Sequence, residues 1–212
     1  MQIKSFEFNF FGENTYLIWD ETTREAAIVD PGMIDDEEAD ILNRAIASEN
    51  LKPKYILLTH AHVDHTFGID ALTAAYGVPV LASKADAPLG QTRGQQAQMF
   101  HLPVSLGPLG IDRFVTDYEI LKLGDEQIKV LATPGHSPGG VCYYVPESGF
   151  VLTGDTLFQS SIGRTDLPGG NQRTLIKSIR DRLLILSPET TVYPGHGPAT
   201  SIAMEEEHNP FL

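Results

Sequence analysis

Hydrophobic and polar positions along the chain switch between two periods. Residues 2–8 alternate only roughly, but 15–19 and 26–30 are dense in β-branched and aromatic residues and flank the polar turn Asp20-Glu21-Thr22-Thr23. That pattern predicts a β-hairpin, closed off by Pro31-Gly32. Asp35-Asp36-Glu37-Glu38 then opens a predicted helix, because acidic side chains favour the positive end of a helix dipole. Ile41, Leu42, Ala45 and Ile46 give that helix one apolar face. Tyr55-Ile56-Leu57-Leu58 is apolar throughout and reads as a buried strand. Helical spacing follows over 66–76, a strand over 78–82, a helix over 84–100, and a Gly/Pro-rich loop to about 113.

The second half reads as strands near 118–122, 126–132, 140–145 and 149–153. An amphipathic helix follows over 172–186, with Leu175, Ile179, Leu183 and Leu186 at helical spacing, and a short strand over 191–193. No repeat, low-complexity run or linker interrupts the 212 residues, so the expectation is one domain spanning 1–212, an α+β sandwich with helices on its outer faces.

Composition narrows the function. The formal net charge of −13 repels phosphate backbones, which argues against a nucleic-acid partner. No window reaches the roughly 20 apolar residues of a membrane helix, and the N-terminus lacks the basic start and apolar stretch of a leader. The expected setting is cytoplasmic, in keeping with a single cysteine, Cys142, read as a small core residue.

The chemistry concentrates after the apolar run at 55–58. His60, His62, Asp64 and His65 place four donors within six residues, at the end of a buried strand. Downstream, His136 (Thr133-Pro134-Gly135-His136), Asp155 (Thr153-Gly154-Asp155) and His196 (Pro194-Gly195-His196-Gly197) each follow an apolar run beside glycine. Five His and two Asp without Cys suit zinc, iron or manganese. Seven donors suit two divalent ions sharing one carboxylate, for which Asp155 is the natural bridge. His101 and His208 read as surface residues, Tyr143 as core, and Phe158 as core or site wall. Arg164 and Asp166 read as a wall of the site or a pair with each other.

These motifs, spanning Asp30 to His196, resemble the metallo-β-lactamase superfamily. The resemblance implies a four-layer αββα sandwich with metals at one edge between the sheets. It implies His60, His62 and His136 on the first metal, Asp64, His65 and His196 on the second, Asp155 bridging, and Asp30 supporting the His loop by hydrogen bonding. Within the superfamily, Thr133-Pro134-Gly135-His136-Ser137-Pro138-Gly139-Gly140, Thr153-Gly154-Asp155-Thr156-Leu157-Phe158 and Gly163-Arg164-Thr165-Asp166 resemble the glyoxalase II (hydroxyacylglutathione hydrolase) group. The ending Glu205-Glu206-Glu207-His208-Asn209-Pro210-Phe211-Leu212 resembles its short bacterial members. Only 16 residues follow His196, with no Lys or Arg among them, so the helical glutathione-binding domain of the larger enzymes is not expected.

The implied activity is hydrolysis of an acyl-thiol such as S-lactoylglutathione by a metal-bridging hydroxide, with Asp64 orienting the attacking water and Arg164 and Phe158 lining the substrate. A thiol, with a pKa near about 8.5, leaves without a strong general acid. The alternative is a persulfide dioxygenase-like oxygenase with one iron on His60, His136 and Asp155. A β-lactamase is disfavoured, since those enzymes are usually exported and the zinc lactamases lack this bridging Asp. Oligomeric state is not legible.

Overall fold

A computed structural model describes all 212 residues. The strands are β1 (Gln2–Phe8), β2 (Glu13–Trp19), β3 (Glu25–Val29), β4 (Lys52–Leu57), β5 (Val80–Ser83), β6 (Arg113–Val115), β7 (Ile120–Leu123), β8 (Glu126–Ala132), β9 (Val141–Val145), β10 (Phe150–Gly154), β11 (Leu157–Phe158), β12 (Ser161–Ile162), β13 (Thr191–Pro194) and β14 (Thr200–Ser201). The helices are α1 (Asp36–Ser48), α2 (Ile69–Tyr76), α3 (Ala87–Gln91), α4 (Arg93–Met99), α5 (Gln172–Ser178) and α6 (Ile202–His208).

Two six-stranded mixed sheets form, in the orders β1-β2-β3-β4-β5-β6 and β14-β13-β10-β9-β8-β7. The inner strands β2, β3 and β10 are buried along nearly their whole length because both faces are covered, while β1 and β7 at the edges keep exposed polar positions. Side chains alternate across each strand, so neighbours serve different layers. Ile18, Ala27, Val29, Leu57 and Leu81 of the first sheet meet Val130, Tyr143 and Leu152 of the second in the central core. Leu17, Ala26, Ile28, Ile56 and Val80 face the other way, under Leu42, Ala45 and Ile46 of α1 and Leu72 of α2. Leu131, Cys142, Val151 and Val192 lie under Leu175 of α5, the following Ile179 and Leu183, and Ile202 of α6. The result is helix, sheet, sheet, helix, as the sandwich reading expects.

Four expectations change. The helix expected over 84–100 is broken at Thr92, whose backbone (φ −99°, ψ 11°) leaves helical geometry. At Gly94 in the next turn, an added Cβ would lie 2.4 Å from the Leu106 carbonyl, so that turn is pressed against the following loop. β6 emerges from the Gly/Pro-rich stretch because parallel pairing with β5 (Leu81↔Arg113) supplies the order its own sequence does not signal. β14 and α6 follow His196, with Ser201 capping α6 by accepting from Met204 N–H at 3.3 Å. The 172–186 helix is α-helical to Ser178 and then widens into a π-turn over Ile179–Leu183. No helix is long and apolar enough to cross a membrane.

Candidate metal centre

The chain turns that follow β3, β4, β8, β10 and β13 converge at one edge of the sandwich. They carry Asp30, the His60–His65 segment, His136, Asp155 and His196 respectively. The sheets are joined there by backbone hydrogen bonds from Val141 N–H to the Thr59 carbonyl (2.8 Å) and from Asn14 N–H to the Gly195 carbonyl (2.7 Å). Gly154 is the close-approach point: it adopts φ +47°, and an added Cβ would lie 2.1 Å from Thr59 Oγ1. Only glycine meets both demands at low cost.

All seven predicted donors come together. One triad is His60, His62 and His136; another is Asp64, His65 and His196. Within each, the donor atoms lie within 4.8 Å of one another. His62 Nδ1 is 2.8 Å and His60 Nε2 is 3.2 Å from His136 Nε2. Asp155 stands between the triads: Oδ2 is 3.5 Å from His136 Nε2, and Oδ1 is 3.4 Å from His65 Nε2 and 3.6 Å from His196 Nε2. Asp64 Oδ2 is 3.4 Å from His196 Nε2.

The far ring nitrogens show which way the lone pairs point. His136 Nδ1 sits 2.7 Å from the Arg164 carbonyl, and His196 Nδ1 sits 3.1 Å from that of Phe11. His60 Nδ1 meets Thr59 Oγ1 at 3.1 Å, and His65 Nδ1 meets Asp30 Oδ2 at 3.2 Å. With Nδ1–H donated outward, His60, His136 and His196 each offer an Nε2 lone pair inward. Lone pairs facing each other across about 3 Å repel unless a proton or cation lies between them.

Burial and electrostatics fit a cation. Burial pushes His62 down to about 4 and, with its histidine neighbours, holds His60 well below the usual imidazole value, so both stay neutral donors. Burial opposes charge on His65, but Asp64 and Asp155 outweigh it and raise its pKa well above normal. Asp155 is driven the other way: burial would raise it, yet the histidines around it hold it well below the carboxylate range. Four buried polar atoms lack a hydrogen-bond partner: Glu13 Oε1 and His65 Nδ1, 3.8 Å apart on the side away from Asp155, and His65 Nε2 and Asp155 Oδ1, where the second triad faces Asp155. Buried polar atoms are rarely left so, and a divalent ion would satisfy the last two.

Asp30 takes the place expected of it, accepting from Thr59 N–H at 2.7 Å and Thr59 Oγ1 at 2.5 Å. Its backbone is in the left-handed region (φ 49°), which Asp tolerates better than most residues. Arg164 and Phe158 both line the cavity over the centre, about 370 Å³ in volume. Arg164 also clamps Asp166 through Nε (2.8 Å) and Nη2 (2.7 Å), so it is wall and ion pair at once. Tyr143 and Cys142 are fully buried, and His101 and His208 are exposed.

Several site residues escape sequence reasoning. Glu13, fully buried, places Oε1 3.8 Å from His65 Nδ1, and burial raises its pKa well above normal. Asn14 donates to the carbonyls of Pro194 (3.1 Å) and Gly197 (2.8 Å), holding the His196 turn. Gln96 of α4 accepts from Val63 N–H at 3.0 Å, inside the His segment. Phe11 and Phe100 meet edge to face across the cavity mouth, with centroids 5.9 Å apart. None lies in a donor cluster, so only the fold could bring them in.

A site of two His/Asp triads at the edge of an αββα sandwich defines a class, and the chain belongs to it: the metallo-beta-lactamase superfamily, whose sequence profile matches residues 8–196. Its superfamily is that of metallo-hydrolases, and its His/Asp clusters imply a divalent metal. The chain is 40% identical over 219 residues to "Hydroxyacylglutathione hydrolase GloC" of Haemophilus influenzae, covering 100% of this chain and 98% of the relative. It is 40% identical over 206 residues to "Probable metallo-hydrolase YqgX" of Bacillus subtilis (93% and 90% covered). Among solved structures it superposes on the BLEG-1 B3 metallo-beta-lactamase with a TM-score of 0.90 (36% identity; 100% and 99% covered). It matches TTHA1623 in a di-iron-bound form at 0.87 (39%; 99% and 100%). ETHE1 from Myxococcus xanthus matches at 0.79 (32%; 99% and 84%).

Proposed function

We propose that the chain is a dinuclear metal-dependent thioester hydrolase. In this reading His60, His62 and His136 hold one divalent ion, Asp64, His65 and His196 hold the other, and Asp155 is shared. Zinc is the first candidate, with iron or manganese fitting the same donors. The observation that carries the reading is the unpartnered, buried pair His65 Nε2 and Asp155 Oδ1, where Asp155 faces the second triad while its other oxygen reaches His136 of the first. Bound there, two divalent ions would acidify a water and polarise a carbonyl oxygen.

The residues supply the rest. Asp64 lines the cavity while reaching His196, so it can orient the attacking water. Neither Ser nor Cys is needed as a nucleophile; Cys142 is buried, and burial raises its thiol to about 12. The cavity is lined by no Lys or Tyr, the guanidinium of Arg164 does not give up its proton, and the lining histidines His62, His136 and His196 are taken as metal ligands in this reading, so a strong general acid for an amine leaving group is lacking. That favours a thiolate leaving group. Phe11, Phe100, Phe158, Ile162 and Leu167 give the wall an apolar character suited to the acyl or carrier part of a small acyl-thiol. S-lactoylglutathione is the first substrate to test, in line with the name of the Haemophilus relative. We place the enzyme in the cytoplasm, as its lone, unpaired cysteine suggests.

The test is metal content measured beside turnover of S-lactoylglutathione, a panel of other acyl-thiols and a chromogenic cephalosporin. About two metals per chain with thioester turnover exceeding lactam turnover is expected. Failure on every acyl-thiol sinks the proposal, and faster lactam turnover would favour the activity named for the BLEG-1 structure. A mononuclear iron oxygenase is the second reading. His60, His136 and Asp155 do converge, and ETHE1 is a structural relative. One iron per chain with oxygen uptake on glutathione persulfide would establish it instead. It leaves Asp64, His65 and His196 without a cation, which is why the dinuclear reading is preferred.

A further inference from the structure

Asp86 lies outside the seven donors, yet its buried carboxylate is tied to both segments that carry the first triad. Oδ2 accepts from Ala61 N–H at 3.0 Å and from Ser137 Oγ at 2.8 Å; Oδ1 accepts from Gly139 N–H at 2.5 Å. Ala61 sits between His60 and His62, while Ser137 directly follows His136 and Gly139 lies three residues after it in the same turn. The side chain does not serve its own helix: Asp86 precedes α3 but makes no capping hydrogen bond there. It is wholly buried. At Gly139, a Cβ would lie 2.5 Å from Asp86 N and 2.8 Å from its carboxyl carbon and Oδ1, so glycine is what admits the contact.

We propose that Asp86 is a positioning residue for the first metal triad: its carboxylate fixes the spacing between the His60-Ala61-His62 segment and the His136 turn. A buried carboxylate needs several donors to be stable, and here all three come from the two segments that must be held in register. Metal ligands held within a few tenths of an ångström of their working positions bind without further ordering, and the residues behind them control affinity. Asp30 does the comparable service for Thr59 and His65. Asp86 completes the frame from the α3 side.

The inference rests on the metal-centre reading but not on any substrate. Three variants test it: Asp86→Asn, Asp86→Ala and Gly139→Ala. Asn keeps the shape but turns one acceptor oxygen into a donor, so at least one N–H or O–H loses its partner. Gly139→Ala pushes the turn off an intact Asp86, which keeps the test alive if Asp86→Ala does not fold. After reconstitution with zinc, wild type should carry about two ions. Asp86→Asn should lose about 10- to 100-fold in affinity for one of them and retain about one after gel filtration. Cobalt substitution should show the absorption of one site altered and the other kept. A purely structural role predicts a different result: a lower melting temperature of the chelated protein, with two ions still bound at wild-type affinity. That outcome overturns the proposal. Wild type that takes up no metal would sink the metal-centre reading and this inference together, which distinguishes the two failures.

Discussion

At the scale of single residues, Asp155 is the carboxylate proposed above as the shared ligand of both triads. Its Oδ1 and Oδ2 reach histidines of opposite sets, at 3.4 Å to His65 and 3.5 Å to His136. Asp155→Ala should therefore abolish activity and lower bound metal from about two ions per chain to one or none, measured by elemental analysis of the folded variant; an active two-metal variant would refute the shared role. Gly195 gives a subtler handle. A Cβ there would lie 2.4 Å from Asp155 Oδ1 and 2.8 Å from His65 Cε1, both in the site and neither free to yield. Gly195→Ala should cost at least tenfold in kcat, about 1.4 kcal/mol of barrier, while its circular dichroism stays native. The seven donors were legible because each stands in a cluster or in a Gly-flanked turn after an apolar run. Asp86 and Glu13 were not. An acid in the first turn of the helix expected over 84–100 reads as a dipole partner, and an acid inside Gly12-Glu13-Asn14-Thr15 reads as a turn residue, until the fold buries both.

At the scale of elements, alternation and capping did most of the predictive work. Asp35 accepts from Glu38 N–H at 2.9 Å, and Glu38 reaches back to Ile34 N–H at 2.9 Å and across to Asn9 N–H at 2.8 Å. The acidic run is thus a variant of the capping box, with the return bond to the residue before the cap, and it also ties α1 to the loop after β1. Asp35→Ala should lower stability by about 1 kcal/mol, read by chemical denaturation. The β2–β3 turn makes a pH prediction. Asp20 accepts from Thr23 N–H (2.6 Å), Thr23 Oγ1 (2.8 Å) and Asp125 N–H (3.3 Å), and those bonds, the Thr23 backbone first, lower its pKa. A depressed carboxylate contributes stability that is fully present above its unfolded value of about 3.9 and fades as pH falls through the folded value. Asp20→Ala should therefore melt below wild type at pH 6, and the ionic part of that gap should shrink on acidification below about pH 4. A gap that widens in acid would contradict it. Elements whose order is borrowed from neighbours were the ones missed. β6 needs β5, and β14 needs β13 through Thr191↔Ser201. The break at Thr92 is likewise imposed from outside, since α4 is held by Gln96 to Val63 and by Arg93 to the Thr66 carbonyl (3.1 Å) and Asp70 (2.6 Å).

For the molecule as a whole, the centre is a seam. The first sheet's turns bring Asp30, His60, His62, Asp64 and His65; the second sheet's bring His136, Asp155 and His196. Each triad therefore draws on both sheets, and any ion bound there links them at one edge. A chain carrying −13 gathers Glu13, Asp30, Asp64 and Asp155 around His65, and cations remove a repulsion that folding alone would have to bear. Linkage then fixes the size of the effect. A ligand that binds only the native state, present at a thousand times its Kd, adds about 4 kcal/mol, and for a domain of this length each kcal/mol moves the midpoint by about 2 to 4 °C. Exhaustive chelation should therefore lower the melting temperature by roughly 8 to 16 °C, and zinc should restore it. Hydrogen exchange should accelerate first in 59–65, 133–140 and 195–197, while the Ile28, Leu57 and Leu152 strands, sealed in the inter-sheet core, keep their protection. An unchanged midpoint, or uniform loosening of both sheets, would mean that the seam is closed by the polypeptide alone and that the ions serve chemistry without joining the fold.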